Sequence, residues 1–224
     1  MLHLRGVLSA DQLQEVRGLL KGARWVDGRA TAGSLSHKVK DNRQTGEDDP
    51  SALQAARLIL SMLQAFPQFI SAALPSQISP PLFNRYAKGQ TYGDHIDGAI
   101  RPTGPDTRMR TDLSATLFLS NPEDYDGGEL LIRGREGEQS IKLPAGDLLL
   151  YDSTTIHQVT PVTRGVRVAS FFWIQSLVRR SEERRMLFDL DSSIQAISTR
   201  LPDDPAVVAL TAHYHNLLRL WAEV

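Results

Sequence analysis

Two histidines and one aspartate have the residue types and the spacing of a metal centre. His95 and Asp97 are two residues apart, so on a β-strand both side chains point to the same face. His157 follows far downstream, on a separate predicted strand. The chain contains no cysteine, so a metal would be held by imidazole and carboxylate groups. Two imidazoles and one carboxylate leave further coordination positions open to reactants.

Each of these residues also has a plainer interpretation. An H-x-D sequence matches easily by chance in a chain with six histidines, so His95 and Asp97 could be a solvated pair in a turn. His157 alone could be a structural histidine. The metal interpretation therefore depends on what accompanies the three residues.

An arginine, Arg167, follows His157 at a distance of ten residues and is the second residue of the alternating segment Val166–Phe172. Arg167, Ala169 and Phe171 share one face of this predicted strand. An inward-facing arginine needs a buried anion, and a guanidinium group binds a carboxylate through two parallel hydrogen bonds. The far carboxylate of 2-oxoglutarate meets that need beside the facial triad of a non-haem iron(II) oxygenase. An ordinary salt bridge at a strand end is the alternative.

Two tyrosines precede the H-x-D sequence. Tyr86 and Tyr92 could donate hydroxyl hydrogen bonds to the co-substrate or form walls of its site, or they could simply pack in the core. Further along, Gly127-Gly128 indicates a turn with positive φ rather than a phosphate loop, because no P-loop lysine follows.

The elements that position these residues fall into three zones. Residues 1–80 are predicted to be a helical support region: Ser9 and Gln12 form a capping box, and Pro50 is suited to a first helical turn. The stretch Ser76–Pro81 resembles a linker. Residues 177–224 are predicted to be helical again, over Leu177–Ile197 and Asp204–Trp221.

The central zone, residues 81–176, is predicted to be the catalytic core. It consists of short apolar segments separated by glycine-containing turns, which favours a β-sandwich or jelly roll. The predicted fold class is therefore a mainly β core with flanking helices (α+β). The candidate strands are Leu82–Ala87, Ser114–Leu119, Glu129–Ile132, Ser140–Leu143, Asp147–Tyr151, His157–Pro161 and Val166–Ile174.

Composition excludes several classes of function. A formal net charge of -1 gives no broad basic field, so we expect no nucleic-acid partner. The N-terminal residues lack the pattern of a signal peptide, and the apolar runs are too short for a membrane span. We therefore expect a cytoplasmic enzyme with no membrane partner.

Three segments together resemble a known family. YAKGQTYGDHID, YDGGEL and LPAGDLLLYDSTTIHQVTPVTRGVRVASFFW are similar to the core of prolyl- and lysyl-hydroxylase-type iron/2-oxoglutarate oxygenases, and most similar to the bacterial PKHD-type hydroxylases. The resemblance extends over nearly the whole chain. It implies a double-stranded β-helix, iron(II) at His95, Asp97 and His157, 2-oxoglutarate at Arg167, and ascorbate as a reductant. Related prolyl hydroxylases have a co-substrate-binding tyrosine on the strand after the H-x-D sequence, but here that strand, SATLFLS, has none.

The function predicted is hydroxylation of an unidentified peptide or small molecule, coupled to oxidative decarboxylation of 2-oxoglutarate by O₂. One alternative is a non-catalytic sensor that binds iron and 2-oxoglutarate on the same fold. A cupin-like protein is a second alternative, although a His-x-His pattern near the core is missing. Leu210, Leu217, Leu218 and Trp221 form an apolar helix face. We expect this face to cover the barrel, and the alternative is a contact between the subunits of a homo-oligomer. Residues 38–43 could be a substrate lid or, as we favour, a solvated loop.

Overall fold

Strands dominate the middle of the chain and helices its two ends. The structure, a computed structural model, describes residues 1–31, 36–134 and 137–224. Within these residues the strands are β1 (Leu2–Leu4), β2 (Trp25–Asp27), β3 (Lys40–Asp41), β4 (Arg43–Thr45), β5 (Pro75–Ile78), β6 (Leu82–Tyr86), β7 (Thr91–His95), β8 (Ile100–Pro102), β9 (Arg108–Arg110), β10 (Leu113–Phe118), β11 (Tyr125–Gly127), β12 (Leu130–Gly134), β13 (Gly137–Ile141), β14 (Leu148–Asp152), β15 (Ile156–Val159), β16 (Val162–Gly165) and β17 (Arg167–Ser176). The helices are α1 (Ala10–Lys21), α2 (Pro50–Gln64), α3 (Pro67–Ala73), α4 (Ser181–Arg200) and α5 (Pro205–Trp221).

Most of these strands belong to two antiparallel sheets. In the described residues the major sheet has the order β1-β14-β10-β17-β6-β4-β2, and β5 pairs with the C-terminal part of β17. The minor sheet has the order β13-β12-β15-β7-β3. Apolar side chains from both sheets pack into one cluster, so the sheets face each other. The predicted sandwich is therefore confirmed as the architecture of the core.

The major sheet is covered on both faces. Along β14, Leu148 and Leu150 pack into the core beneath the N-terminal helices, whereas Leu149 and Tyr151 pack into the core between the sheets. Successive strand residues point to opposite faces, so a strand covered on both sides is apolar throughout. This explains why the run LLLY lacks the alternation of a half-exposed strand.

Helices α1 and α2 begin where the sequence predicts. The Ser9 side chain accepts from the Gln12 backbone amide, and the Gln12 side chain accepts from the Ser9 backbone amide, so the capping box is formed. Pro50 occupies the first turn of α2, and the Asp49 side chain caps that helix by accepting from Ala52 N at 2.9 Å. Both helices bury their apolar faces against the major sheet.

The N-terminal region is less purely helical than predicted. Strands β1, β2 and β4 come from it and join the major sheet. The linker interpretation of Ser76–Pro81 is wrong in part, because residues up to Ile78 belong to β5. These strands have only three or four residues. They are stabilised by pairing with distant partners, so their own residues carry little periodic signal.

The polar segment at residues 38–43 also differs from the favoured solvated loop. Lys40–Asp41 forms β3, which pairs with β7, and Arg43–Thr45 forms β4. The Lys40 and Asn42 side chains are buried. Residues 32–35, within the polar stretch that precedes this segment, lie outside the described residues.

The C-terminal helices pack at one edge of the core. Leu187 of α4 is fully buried with Leu74 and Val178, and the partly buried side chains of Leu217, Leu218 and Trp221 pack against them. Arg184, also buried, donates to Val178 O at 2.9 Å and to Asp152 Oδ1 at 2.8 Å. Three of the four residues of the predicted apolar face thus cover this edge of the core. No helix in the described part of the chain is long and apolar enough to cross a membrane.

A single truncation in α4 measures how much this packing stabilises the fold. Leu187→Ala is expected to lower the free energy of unfolding by about 2–5 kcal/mol, because it removes a fully buried leucine side chain and leaves a cavity. Chemical denaturation gives this value directly. Leu220→Ala in α5 is the matched control, since that side chain is 75% exposed and its removal should cost little. Equal effects of the two changes would show that the C-terminal helices contribute little to stability.

Candidate active site

The three proposed metal ligands converge at one end of the space between the sheets. His95 ends β7, and His157 lies directly opposite it on β15 in the antiparallel register. One ligand atom from each of His95, Asp97 and His157 lies within 4.8 Å of the other two. His157 Nε2 is 3.8 Å from Asp97 Oδ2. Residues that are about 60 positions apart in the chain thus form one cluster of donor atoms that could hold a metal ion.

Backbone carbonyls orient both imidazoles. His95 Nδ1 lies 2.8 Å from Gly93 O, and His157 Nδ1 lies 3.1 Å from Thr155 O. A carbonyl oxygen can only accept, so each Nδ1 donates and each Nε2 keeps its lone pair for a metal. Burial, with His157 nearby, lowers the pKa of His95 to about 4. His95 is therefore neutral near pH 7, the state in which imidazole binds metal.

Asp97 lies outside the strand that carries His95. β7 ends at His95, so the prediction that one strand presents both residues of the H-x-D is correct only for the histidine. The Asp97 carboxylate is held instead by Ser114 of β10, whose hydroxyl donates to Asp97 Oδ2 at 2.6 Å. Ser114 Oγ is also 2.7 Å from Ser153 Oγ, and both serines are buried. The opposite sheet thus positions the carboxylate.

Arg167 is buried at the inner face of β17, as predicted, with only 1% of its surface exposed. Its Nη1 is 3.5 Å from Asn84 Oδ1, and its Nε has no hydrogen-bond partner in the described part of the chain. No carboxylate in that part forms an ion pair with it. A buried guanidinium in this condition requires an anion, so the residues present fit the distal carboxylate of 2-oxoglutarate.

A glycine pair makes room for this arginine. Gly127 and Gly128 both have positive φ, of 70° and 68°, which confirms the predicted turn. A Cβ on Gly128 would lie 3.2 Å from both Arg167 Cδ and Tyr125 Cε2. The Tyr125 hydroxyl is buried without a hydrogen-bond partner among the described residues. Burial raises its pKa, and the nearby Arg167 charge acts in the opposite direction. Sequence reasoning missed Tyr125, although its position beside the glycine pair was a usable signal.

The two tyrosines chosen from the sequence have different surroundings. Tyr86 is fully buried opposite Arg167 in the register of β6 and β17, and the Arg167 guanidinium lies 5.4 Å from its ring centroid. Burial raises the pKa of the Tyr86 hydroxyl to about 12. Tyr92 stacks on the His95 ring with centroids 3.5 Å apart. Tyr86 therefore adjoins Arg167, and Tyr92 adjoins the candidate metal ligand His95.

The metal cluster and Arg167 open into the same cavity of about 290 Å³. Asp97 is the sole carboxylate among the described residues that line it. Sequence reasoning did not place four further lining residues in the site, because nothing in the local sequence brings them together: Lys40, Arg101, Phe171 and Trp173. The two histidines of the HYH sequence, His213 and His215, are exposed on α5 and do not line this cavity.

Two family models match the central and C-terminal parts of this chain. A family model described as the 2OG-Fe(II) oxygenase superfamily matches residues 81–175, and one described as the PKHD-type hydroxylase C-terminal domain matches residues 182–223. A PKHD-type hydroxylase of Klebsiella pneumoniae is 54% identical over 224 residues and covers 100% of both chains. Another from Paraburkholderia xenovorans is 53% identical over 225 residues, covering 100% of this chain and 99% of that one.

Solved structures share the fold at low sequence identity. A Trichoplax adhaerens prolyl hydroxylase in complex with a hypoxia inducible factor peptide fragment has a TM-score of 0.58 at 19% identity, covering 83% of this chain and 86% of that one. HygX from Streptomyces hygroscopicus, with nickel, 2-oxoglutarate and hygromycin B bound, has a TM-score of 0.53 at 18% identity, covering 79% and 83%. The jelly-roll fold is thereby confirmed. The full-length relatives show that this chain belongs to the PKHD-type hydroxylases of the 2OG-Fe(II) oxygenase superfamily, enzymes that depend on iron(II) and 2-oxoglutarate.

Proposed function

We propose that His95, Asp97 and His157 hold the iron(II) of this hydroxylase and that Arg167 holds the distal carboxylate of 2-oxoglutarate. One observation carries the proposal: a buried guanidinium without an anionic partner among the described residues opens into the same cavity as three converging metal donors. When bound there, iron(II) supplies the O₂ activation that couples conversion of 2-oxoglutarate to succinate and CO₂ with hydroxylation of a substrate C–H bond.

The side chains of this chain orient the reactants and keep water out. The Gly93 carbonyl accepts from His95 Nδ1, and the Thr155 carbonyl accepts from His157 Nδ1. Each Nε2 is thereby left on the opposite side of its ring, available to the metal. Arg167 fixes one end of the co-substrate, so its keto-acid end is restricted to the region of the three donors. We propose that Tyr86 contacts the co-substrate beside Arg167 and that Tyr92 acts as a wall which holds the His95 ring. Apolar neighbours such as Leu130 and Val159 exclude water from this region.

Oxygen-dependent succinate formation tests the proposal. The purified chain with iron(II) and 2-oxoglutarate is expected to form succinate slowly in air, faster with its substrate, and not at all under anaerobic conditions. Ascorbate is expected to prolong this activity by re-reducing oxidised iron, in line with the family resemblance. Binding of iron and 2-oxoglutarate without oxygen-dependent succinate, even with a cell extract as a source of substrates, would favour the sensor alternative.

We extend the proposal to the substrate class, the domain boundaries and the location of the protein. The substrate is a peptide or a small molecule; the Trichoplax structure holds a peptide fragment and HygX holds hygromycin B. We propose residues 81–176 as the catalytic core, with supporting regions at 1–80 and 177–224, and a cytoplasmic location. Either a monomer or a homo-oligomer is compatible with the site, because each proposed ligand comes from one chain.

Removing the hydroxyl that positions Asp97 is expected to weaken iron binding. Ser114→Ala should raise the iron(II) dissociation constant by about 10–100-fold, the usual effect of losing a hydrogen bond that orients a metal ligand. Metal titration under anaerobic conditions measures this. Ser170→Ala is the matched control, because Ser170 is equally buried on the same sheet but donates to Leu82 O. Equal iron affinities in the two variants would show that Ser114 does not position the carboxylate.

A further inference from the structure

A small hairpin brings an arginine to the mouth of the active-site cavity. β8 and β9 form a two-stranded sheet that begins three residues after Asp97. The Thr111 hydroxyl donates to Gly98 O at 2.8 Å and so links the two ends of the hairpin. On β8, Ile100 is exposed, whereas the neighbouring Arg101 is half-buried and lines the cavity. The alternation of the strand therefore directs Arg101 inward.

The Arg101 guanidinium is held against an aromatic wall. Its Cζ lies 3.8 Å from the ring centroid of Trp173, whose ring meets Phe171 edge-on. Stacking occupies the flat face of a guanidinium and leaves its N–H donors free in the plane of the group. In the described residues no acceptor takes a hydrogen bond from this side chain, and no carboxylate forms an ion pair with it. Arg101 is thus a fixed, partly desolvated cation whose donors are available to a ligand.

A second cation lines the same cavity. Lys40 of β3 is 6% exposed, lines the cavity, and lies with Nζ 5.0 Å from the Tyr92 ring centroid. Burial lowers the pKa of Lys40 to about 8; the Asp97 charge opposes this effect, and the Arg101 charge adds to it. Lys40 and Arg101 thus line the same cavity with like charges. An anion bound in the same cavity would reduce the repulsion between these charges.

The net charge of the site with iron(II) and 2-oxoglutarate bound also favours an anionic ligand. Two positive charges on iron(II) and one on Arg167 balance the two carboxylates of 2-oxoglutarate and the carboxylate of Asp97. The charges of Lys40 and Arg101 are left over in this cavity, because Asp97 is the sole carboxylate of its described lining. Glu47, which lines the neighbouring cavity with Arg101, offsets one of these two charges and leaves the other. A cavity with a surplus positive charge selects anionic ligands over neutral or cationic ones.

Arg101 also lies at the junction between this cavity and a neighbouring one. The second cavity, of about 310 Å³, shares Leu82 and Arg101 with the first and opens between the α2 N-terminus and the hairpin. We propose that the hydroxylated substrate carries an anionic group, a carboxylate or a phosphate, that binds Arg101 at this junction while its carbon skeleton lies against Phe171 and Trp173. This inference rests on the proposed function, because it places the substrate beside the proposed iron and 2-oxoglutarate.

Paired charged and neutral probes test the assignment. The full-length protein, loaded anaerobically with iron(II) and saturating 2-oxoglutarate, is titrated by calorimetry with benzoate against benzamide and with phenyl phosphate against phenol. At least one anion is expected to bind about tenfold more tightly than its neutral partner, and the pair that shows the difference identifies the anionic group. Arg101→Gln should abolish the difference. Arg108→Gln, an equal change of charge at an exposed position on the same hairpin, should preserve it.

Three results would overturn the inference: equal affinities for charged and neutral probes, equal effects of Arg101→Gln and Arg108→Gln, or anion binding that weakens as 2-oxoglutarate is raised. The last would place the anion at Arg167. If Arg101→Gln is unstable, Arg101→Lys replaces it and should retain part of the preference for anions, since it keeps the charge but loses the planar stack. Succinate formation by the unaltered protein is followed separately, so its absence would contradict the proposed function without affecting the calorimetric result.

Discussion

His157→Ala is expected to reduce iron binding by roughly 100-fold or more and to bring oxygen-dependent succinate formation to background. Losing a residue that merely orients a metal ligand costs about 10–100-fold in affinity, and this change removes a ligand itself. The Nε2 of His157 is directed toward Asp97 at 3.8 Å, and its Nδ1 is occupied by Thr155 O. Iron content per chain, measured by metal analysis after anaerobic loading, gives the result.

A surface histidine provides the control for this experiment. His213→Ala removes an imidazole that is exposed on α5, far in sequence from the core, and should leave iron content and succinate formation unchanged. Circular dichroism on both variants verifies that the sheets are intact. A folded His157→Ala protein that retains a full equivalent of iron would contradict the assignment of His157 as a ligand.

Arg167→Ala is expected to weaken 2-oxoglutarate binding by about one to three orders of magnitude while leaving iron bound. Truncating one partner of a buried, hydrogen-bonded charge pair costs roughly 2–4 kcal/mol, which corresponds to such factors in Kd. Arg167 is 1% exposed, so bulk solvent does not reach this position to solvate the distal carboxylate in place of the guanidinium. Titration of 2-oxoglutarate into the anaerobic iron-loaded protein measures the loss. Tyr125→Phe should weaken 2-oxoglutarate binding less, because it removes only one hydroxyl group beside Arg167 and so at most one hydrogen bond.

Two controls separate the anchor from general damage. Arg164→Ala removes an exposed arginine three residues earlier, which pairs with Asp126, and should not change the affinity. The second control alters the ligand: 2-oxobutanoate has the keto-acid end but lacks the distal carboxylate. If Arg167 binds that carboxylate, Arg167→Ala should affect 2-oxobutanoate little. Similar losses for both keto acids would mean that the substitution disturbs the metal end of the site instead.

Much of the core could be read from the sequence because its signals are local. The turns at Gly127-Gly128 and Gly165 have positive φ, as their glycines indicate. The predicted strand at Val166–Ile174 matches β17 closely, because a short, mostly apolar run that follows a glycine turn is itself a local strand signal. The short N-terminal strands were missed for the opposite reason: they exist through pairing with β14, β6 and β17, partners that no local window contains.

The site residues also fall into two groups, those recognisable from the local sequence and those that only the folded structure brings together. His95, Asp97, His157 and Arg167 were recognised because their types and spacing carry chemical meaning in the chain itself. Lys40, Arg101 and Trp173 carry none until the fold brings β3, the β8–β9 hairpin and β17 to one cavity. Tyr125 is an intermediate case, adjacent to a recognisable glycine turn but directed at Arg167 only by the folded structure.

The sequence by itself determined the candidate metal donors, the class of fold and the inward face of Arg167, because residue chemistry and strand alternation are properties of the chain. The tertiary structure alone decided how Asp97 reaches the metal cluster. Since β7 ends at His95, the pleat does not place the carboxylate, and a hydrogen bond from Ser114 on the opposite sheet does so instead. It also decided that Arg101 stacks on Trp173. These residues are 72 positions apart, and they meet because the fold places the β8–β9 hairpin beside β17.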